Sequence, residues 1–425
     1  MRDIRMAEDD FKDTEIGRIP REWGVAALFD LAEYINGYPF KPSDWQSFGI
    51  PIIRIQNLTE SSHLINYYNG ELSSRYLIEN GNLLLAWSAS LGAHIWKGEK
   101  AYLNQHIFKV IPRKDVYKDY LYYRLLLTIE SLKKQTHGST MKHFVKSALK
   151  FVYISLPTLH EQTRIAYALS TIQNAIEIQD KILEALQNLK KSMMHKLFTE
   201  GIGHREFKDT EIGRIPKDWG IKKIKDVSTY ITDGTHKTPH YIEYSQFGIP
   251  FISTENIKPY SSEYDFSRYR RYIDEISYKD LSKRAKAEKG DLLISKCGTI
   301  GRTQLIRNNL KIGIFVGLLL IKINNNIING EYLENLLNSD KFRKIMESKS
   351  TGSTRKTLAI NIFKNITIPI PPLDEQKRIA DILSTIDKKI SIEENRKESF
   401  ENLFKTMLNK LMTCQIRVKD LVMPA

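Results

Sequence analysis

The chain has 425 residues, 41% hydrophobic and 27% charged, with a formal net charge of +14. That length exceeds one hydrophobic core, so two to four structural units are expected. No run of 18 apolar residues occurs, which excludes a membrane-spanning helix, and two cysteines far apart, Cys297 and Cys414, support neither a disulfide framework nor a zinc site.

The N-terminal stretch is polar and mixed in charge, without the apolar core of a signal peptide, and a cytoplasmic location is expected. Phe11 to Gly24 reads FKDTEIGRIPREWG, and 196 residues later Phe207 to Gly220 reads FKDTEIGRIPKDWG, with 12 of 14 positions identical. Pro157 to Ile172 (PTLHEQTRIAYALSTI) returns at Pro371 to Ile386 (PPLDEQKRIADILSTI), with 11 of 16 identical. Such repeats set the architecture. Between them lie two less similar inserts that share signposts: FGIP at Phe48 and Phe247, GNLL at Gly81 and GDLL at Gly290, GST at Gly138 and Gly352. Two copies of one fold, diverged in their loops, account for this.

Within the inserts, Pro51–Ile55, Asn82–Ala86 and Gly317–Ile323 are apolar, β-branched runs and predict buried strands. Tyr117–Leu132 and Gly330–Ser348 fit short helices. After each repeated proline comes a long apolar stripe with steps of four and three. It runs Ile165, Leu169, Ile172, Ile176, Gln179, Leu183, Leu186, Lys190, Met193, Leu197, and 214 residues later Ile379, Leu383, Ile386, Ile390, Glu393, Lys397, Phe400, Phe404, Met407, Leu411. This is heptad spacing. No Pro or Gly interrupts 158–200 or 373–413. Each helix is about 60 Å long at 1.5 Å per residue. Thr158 with Glu161 suggests a capping box, and Gly201 and Gly203 a stop. Neither helix can bury its stripe alone, so antiparallel pairing of the two is expected.

The fold expectation is therefore α+β: two globular α/β domains separated by two long antiparallel coiled-coil helices, with a pseudo-two-fold internal repeat. The boundaries are 1–23 for an N-terminal repeat segment near the C-terminal helix, 24–156 for the first insert and 157–203 for the central helix. A repeated linker at 204–220 leads to the second insert at 221–370, the C-terminal helix at 371–417 and a tail at 418–425. Because one repeat opens the chain and also follows the first helix, the chain should be circular in layout.

Enzyme signatures are missing. There is no GxxxxGK[ST] loop, no GxGxxG opening a βαβ unit, and no tetrapeptide of amino-methyltransferases. Asp387-Lys388-Lys389 and Glu375-Gln376-Lys377 have the spacing of metal nucleases, but sit in long helices where side chains two apart diverge. His236 and His240 are separated by Pro239, which prevents a helical metal pair.

The basic charge suits a polyanion, since Lys and Arg on phosphates release counterions. Candidate base contacts are Arg54, Gln56 and Asn57 in the first insert. In the second they are Glu255 and Asn256 at the matching place, with His236 and Lys237 in the loop Asp233 to His240; Arg, Gln and Asn pair with base edges and Glu accepts from cytosine. An ordinary strand-end loop offers the same residues. Candidate phosphate contacts are Ser139, Thr140 and Lys142, then Ser353, Thr354, Arg355 and Lys356, where small residues precede cations. Lys296 and Arg302 flank a Gly-Thr-Ile-Gly turn and join them. A plain turn is the alternative.

GRIPREWG at Gly17, GRIPKDWG at Gly213, DGTHKTP at Asp233, GDLL with the turn near Gly298, GST at Gly352 and PPLDEQKRIADIL at Pro371 together resemble the specificity subunits of type I restriction–modification enzymes. The first insert departs from the DGxH pattern, having Asn36-Gly37-Tyr38-Pro39. The resemblance implies two target-recognition domains, each reading half of a split double-stranded DNA sequence. It implies paired helices that set the gap and dock two methyltransferase subunits, and restriction/translocase subunits that join for cleavage. It also implies no catalytic residue and no cofactor or metal in this chain; S-adenosylmethionine, ATP and Mg are expected in the partner subunits. A coiled-coil scaffold whose inserts bind proteins, or a self-sufficient methyltransferase, are the rival expectations.

Overall fold

The structure is a computed structural model that describes residues 10–423 apart from 60, 89, 136–145, 244–247, 268–269 and 353–355. The chain forms two compact units, Met1–Gln179 with Arg396–Ala425, and Asp180–Asn395. Each long helix contributes one half to each unit.

In the first unit, strand Gly24–Ala27 pairs antiparallel with Tyr153–Leu156, so the insert between them is closed at its base. Inside it is a four-stranded antiparallel sheet in the order Ala32–Asn36, Ile107–Pro112, Leu83–Ala86, Gly92–Ile95. Helix Lys118–Gln135 covers this sheet, burying Leu121, Leu125 and Ile129 with Leu83, Leu85, Phe108 and Val110. A second sheet runs Asn66–Tyr68, Ile50–Ile53, Ala101–Leu103, Leu77–Ile78, with the central pair parallel.

The second unit repeats the plan. Gly220–Lys223 pairs with Thr367–Ile370 at the base. The main sheet runs Ser228–Asp233, Leu318–Ile323, Leu292–Ser295, Thr303–Leu305. The predicted strands at 51–55, 82–86 and 317–323 form with shifted ends, and Arg54 caps a short helical turn, Ile55–Leu58, instead of ending a strand. The helix expected over 330–348 is two helices, Gly330–Asn338 and Asp340–Ser348. Ser339 starts the second by accepting from Phe342 N, and the Asn338 side chain is drawn to the backbone of Thr303.

The long helices span Leu159–Thr199 and Leu373–Met412. Every position of both heptad stripes is buried or half-buried. In the first unit, Ile165, Ala166 and Leu169 at the start of one helix share a core with Leu408, Leu411 and Met412 at the end of the other. In the second unit, Met194, Leu197 and Phe198 share a core with Ile379, Ala380 and Leu383. Start meets end in both, so within each unit the helix halves run in opposite directions. The Lys190 ammonium bonds Asp387 at 2.6 Å there, across the stripe.

The capping box expected at Thr158 forms only in part. Glu161 N donates to Thr158 Oγ1 at 3.4 Å, but the Glu161 carboxylate turns away to accept from Trp23 Nε1 at 2.8 Å and from Arg417. The second unit has the same lock: Glu375 accepts from Trp219 Nε1 at 3.0 Å, from Ile202 N and from the His204 ring. The neighbouring glutamines plug backbone gaps. Gln162 accepts from Tyr117 N and donates to Pro157 O, while Gln376 accepts from Asn329 N and donates to Pro371 O. The two repeated motifs are thus the two halves of one joint. A buried tryptophan N–H needs an acceptor, and a buried carboxylate needs donors.

The tail copies the linker. Gly201 and Cys414 stand at matching places after the two helices, with φ of 66° and 63°. His204 and Arg417 then fill the same position on Glu375 and Glu161. Arg417 also bonds Glu22 of the N-terminal repeat. The segments expected as plain repeats at 1–23 and 204–220 carry hairpins, Phe11–Thr14 with Gly17–Pro20 and Phe207–Thr210 with Gly213–Pro216.

Candidate nucleic-acid interface

The chemistry of the second insert gathers around the end of strand Ser228–Asp233. Gly234 follows, and a Cβ there would lie 2.2 Å from Ile314 O and 2.4 Å from Phe315 O. Only glycine lets the loop pass so close to that backbone. Thr235 N then donates to Ile314 O at 2.9 Å, which fixes the loop.

Asp233 itself is buried, with a side chain 5% exposed. Its Oδ2 accepts from Lys296 Nζ at 2.6 Å and faces the His236 ring nitrogen at 3.3 Å; its Oδ1 accepts from Arg284 Nη2. Burial pushes the Asp233 carboxyl up, but the bonds from Lys296 and Arg284 outweigh it and hold the group below its ordinary value. Lys296 comes from the loop after Leu292–Ser295 and Arg284 from the last turn of helix Glu275–Ala285. An open cleft of about 380 Å³ lies beside this cluster, lined by Thr235–Pro239 on one side and by Ser277, Asp280, Leu281 and Arg284 on the other.

The residues on either side of the GST segment are anchored on the same floor. Thr357 pairs with Thr351 and with Cys297, and Leu358 N donates to Lys296 O. Lys356 is exposed beside it. The phosphate-contact expectations for Ser353, Thr354 and Arg355, and for Ser139, Thr140 and Lys142, lie outside the described residues.

Several candidates have structural work instead. Asn256 is fully buried; its Oδ1 accepts from Ser253 N at 2.8 Å and its Nδ2 donates to Asp265 O at 2.7 Å. Asn57 does the same in the first insert, accepting from Arg54 N and donating to Leu64 O. Both asparagines buttress a turn, and their amides are not free to meet a base edge. Lys296, 12% exposed and paired to Asp233, is not free for a phosphate. Arg302 is half-buried, and its backbone closes the glycine turn onto Ser295. His236, Lys237 and Glu255 are exposed, and Gln56 is half-exposed. Arg284 escaped the sequence reading because it lies 51 residues from Asp233, although DLSKR at 280–284 repeats ELSSR at 71–75 ahead of the shared GDLL and GNLL signposts.

The first insert places different chemistry at the same point. Gly37 is again pressed on backbone, where a Cβ would lie 2.3 Å from both Leu103 O and Asn104 O. Asn36, however, takes the place of Asp233. Trp87, 209 residues before Lys296, takes the place of that lysine, with its ring 5.3 Å from His106 and 5.8 Å from Phe108. The Arg54 guanidinium carbon lies 4.8 Å from the centre of the Trp45 ring, a cation–π contact.

Among the described residues no group of three or more His, Cys, Asp or Glu could hold a metal ion, and no helix is long and apolar enough to cross a membrane.

The family described as the type I restriction modification DNA specificity domain matches residues 20–188 and 216–402. The type I restriction enzyme MjaVIII specificity subunit of Methanocaldococcus jannaschii is 29% identical, covering 97% of each chain. The putative MjaX specificity subunit of the same organism is 31% identical, covering 97% of this chain and 98% of its own length. Among solved structures, the S subunit of a type I restriction–modification system from M. genitalium aligns with a TM-score of 0.55 at 15% identity, covering 92% of this chain and 96% of that one. A chain from a structure of type I system assembly aligns at 0.57 and 16%, covering 93% and 98%. These two likenesses concern the fold.

Proposed function

The chain belongs to the type I restriction modification DNA specificity family, a non-catalytic DNA-recognition component, and from that premise we propose how it reads its target. Each insert, 24–156 and 221–370, meets one half of a bipartite, asymmetric double-stranded DNA site. The long helices pair as an antiparallel coiled coil, relate the inserts by a pseudo-two-fold axis and set the unread gap. Their outer faces dock two methyltransferase subunits, and restriction/translocase subunits join that assembly; S-adenosylmethionine, ATP and Mg belong to those partners.

One observation carries this reading. The same scaffold is built twice, down to the tryptophan–glutamate joint, while the chemistry beside the tightly pressed glycine differs: Asp233 and Lys296 in one copy, Asn36 and Trp87 in the other. Identical frames with unlike contacts are what two unlike half-sites require. The net charge of +14 supplies the salt-dependent attraction to phosphates.

A heptad rises about 10.5 Å, near three base-pair steps. Deleting one heptad from each helix should therefore shorten the gap between half-sites selected from a random duplex pool. An unchanged gap refutes the ruler. Binding that ignores both salt and DNA sequence would instead favour a protein scaffold.

A further inference from the structure

The second insert contains an exposed arginine whose guanidinium is held along one edge. Arg284 is 52% exposed beside the open cleft, yet one edge of its guanidinium is taken. Nη2 donates to Asp233 Oδ1, and Nε lies 3.4 Å from the Asp233 backbone oxygen. Asp233 cannot swing away, because Lys296 grips its other oxygen at 2.6 Å and both side chains are largely buried. What remains is the end-on edge, Nη1 with the second hydrogen of Nη2. Among the described residues nothing takes Nη1.

A guanidinium fixed on one edge keeps two parallel N–H donors in a set plane, with its entropy of ordering already lost on folding. Two parallel donors fit two adjacent acceptors. Guanine offers that pair at O6 and N7, whereas adenine sets a donor beside its N7. Resting on the reading that this insert meets DNA, the geometry points to Arg284 as the residue with which the second insert reads one guanine, and to Asp233 as the positioning residue that aims it. The first insert keeps an arginine at the matching place, Arg75, 209 residues earlier, but Asn36 replaces the carboxylate and Trp87 the lysine behind it, and the Arg75 guanidinium lies over the Tyr76 ring at 5.4 Å. It reads its half-site by other contacts.

The test uses the full chain assembled with its methyltransferase subunits on a randomised duplex library, with methylated sites sequenced. Wild type should give a split site in which one G·C pair belongs to the half read by the second insert. Arg284→Gln should relax that single position, cutting its preference for guanine about ten- to a hundredfold, with every other position retained. Asp233→Asn should relax the same position. Arg284→Lys keeps the charge but loses the paired donors, and should also fail to restore guanine. A lysine variant with an unchanged site, or a uniform drop in methylation with no position relaxed, makes Arg284 a phosphate contact and overturns the assignment. Should Arg284→Gln abolish methylation, the lysine variant decides by the same criterion. Failure of the wider reading looks different: wild type would then select no split site at all.

Discussion

Lys190 occupies the helix seam of the second unit, where an apolar side chain would be expected, and pairs with Asp387, which follows the seam residue Ile386 of the other helix. Their side chains are 11% and 21% exposed, and the Lys190 ammonium also lies 3.1 Å from the centre of the Tyr260 ring. Burial lowers the Lys190 pKa, and the attraction of Asp387 recovers only part of that; burial likewise raises Asp387 against the pull of Lys190. Burial thus opposes the charged form of both groups, so replacing the whole pair by apolar side chains should cost little. Removing one partner should hurt most. Asp387→Ala strands an ammonium over an aromatic face, at a cost of about 2–4 kcal/mol, the lower part of the range for broken buried pairs because water still reaches Asp387. The double change Lys190→Met with Asp387→Leu should return the unit to within about 1 kcal/mol of wild type, since methionine also packs well on an aromatic ring. The chain supplies its own precedent: 214 residues after Lys190 stands Phe404, packed in the first unit against Tyr123 with ring centres 6.0 Å apart. Hydrogen exchange of peptides from 188–199 and 373–390 reads this directly. Asp387→Ala should speed exchange about 30- to 1,000-fold, and the double variant should restore it. A double variant as labile as the single one, or a single variant without effect, refutes the reasoning.

Other outcomes follow from the joint and the loops. Trp23→Phe removes a donor from buried Glu161 and Trp219→Phe one from buried Glu375, each costing about 1.5–3 kcal/mol; exchange should rise in 159–170 for the first and in 373–385 for the second, not in both. Gly234→Ala drives a Cβ to 2.2 Å from Ile314 O and Gly37→Ala one to 2.3 Å from Leu103 O, a displacement costing about 1–3 kcal/mol or more. Sequencing of methylated sites should show the second half-site lost in one variant and the first in the other. Asp233 is held below its ordinary value of 3.8, so its bonds contribute fully above that pH and fade as pH falls through the lowered value. Wild type should exceed Asp233→Asn in stability by a constant margin from neutrality down to about pH 4, and the margin should close in stronger acid; denaturant unfolding across that range checks it.

Residue order alone dictated the frame. Repeats, heptad spacing and uninterrupted helical stretches are local properties, so the long helices, the doubled architecture and the shared signposts were legible before any folding. The resemblance of the motifs pointed to the family. Long-range packing then assigned the motifs their roles. Glu161 looked like a capping residue because its spacing from Thr158 fits one; only the fold brings Trp23 and Arg417, 138 and 256 residues away, to its carboxylate, and a buried ion pair outweighs a cap. Asn57 and Asn256 looked like base readers because their amides suit adenine, yet hydrogen bonds to nearby backbone commit those amides to turns. Arg284 passed unnoticed within DLSKR, although ELSSR at 71–75 repeats it, since its importance arises from a partner at the end of strand Ser228–Asp233. Local patterns fix which elements form, while the partner a buried polar group acquires depends on what the rest of the chain brings within about 3 Å.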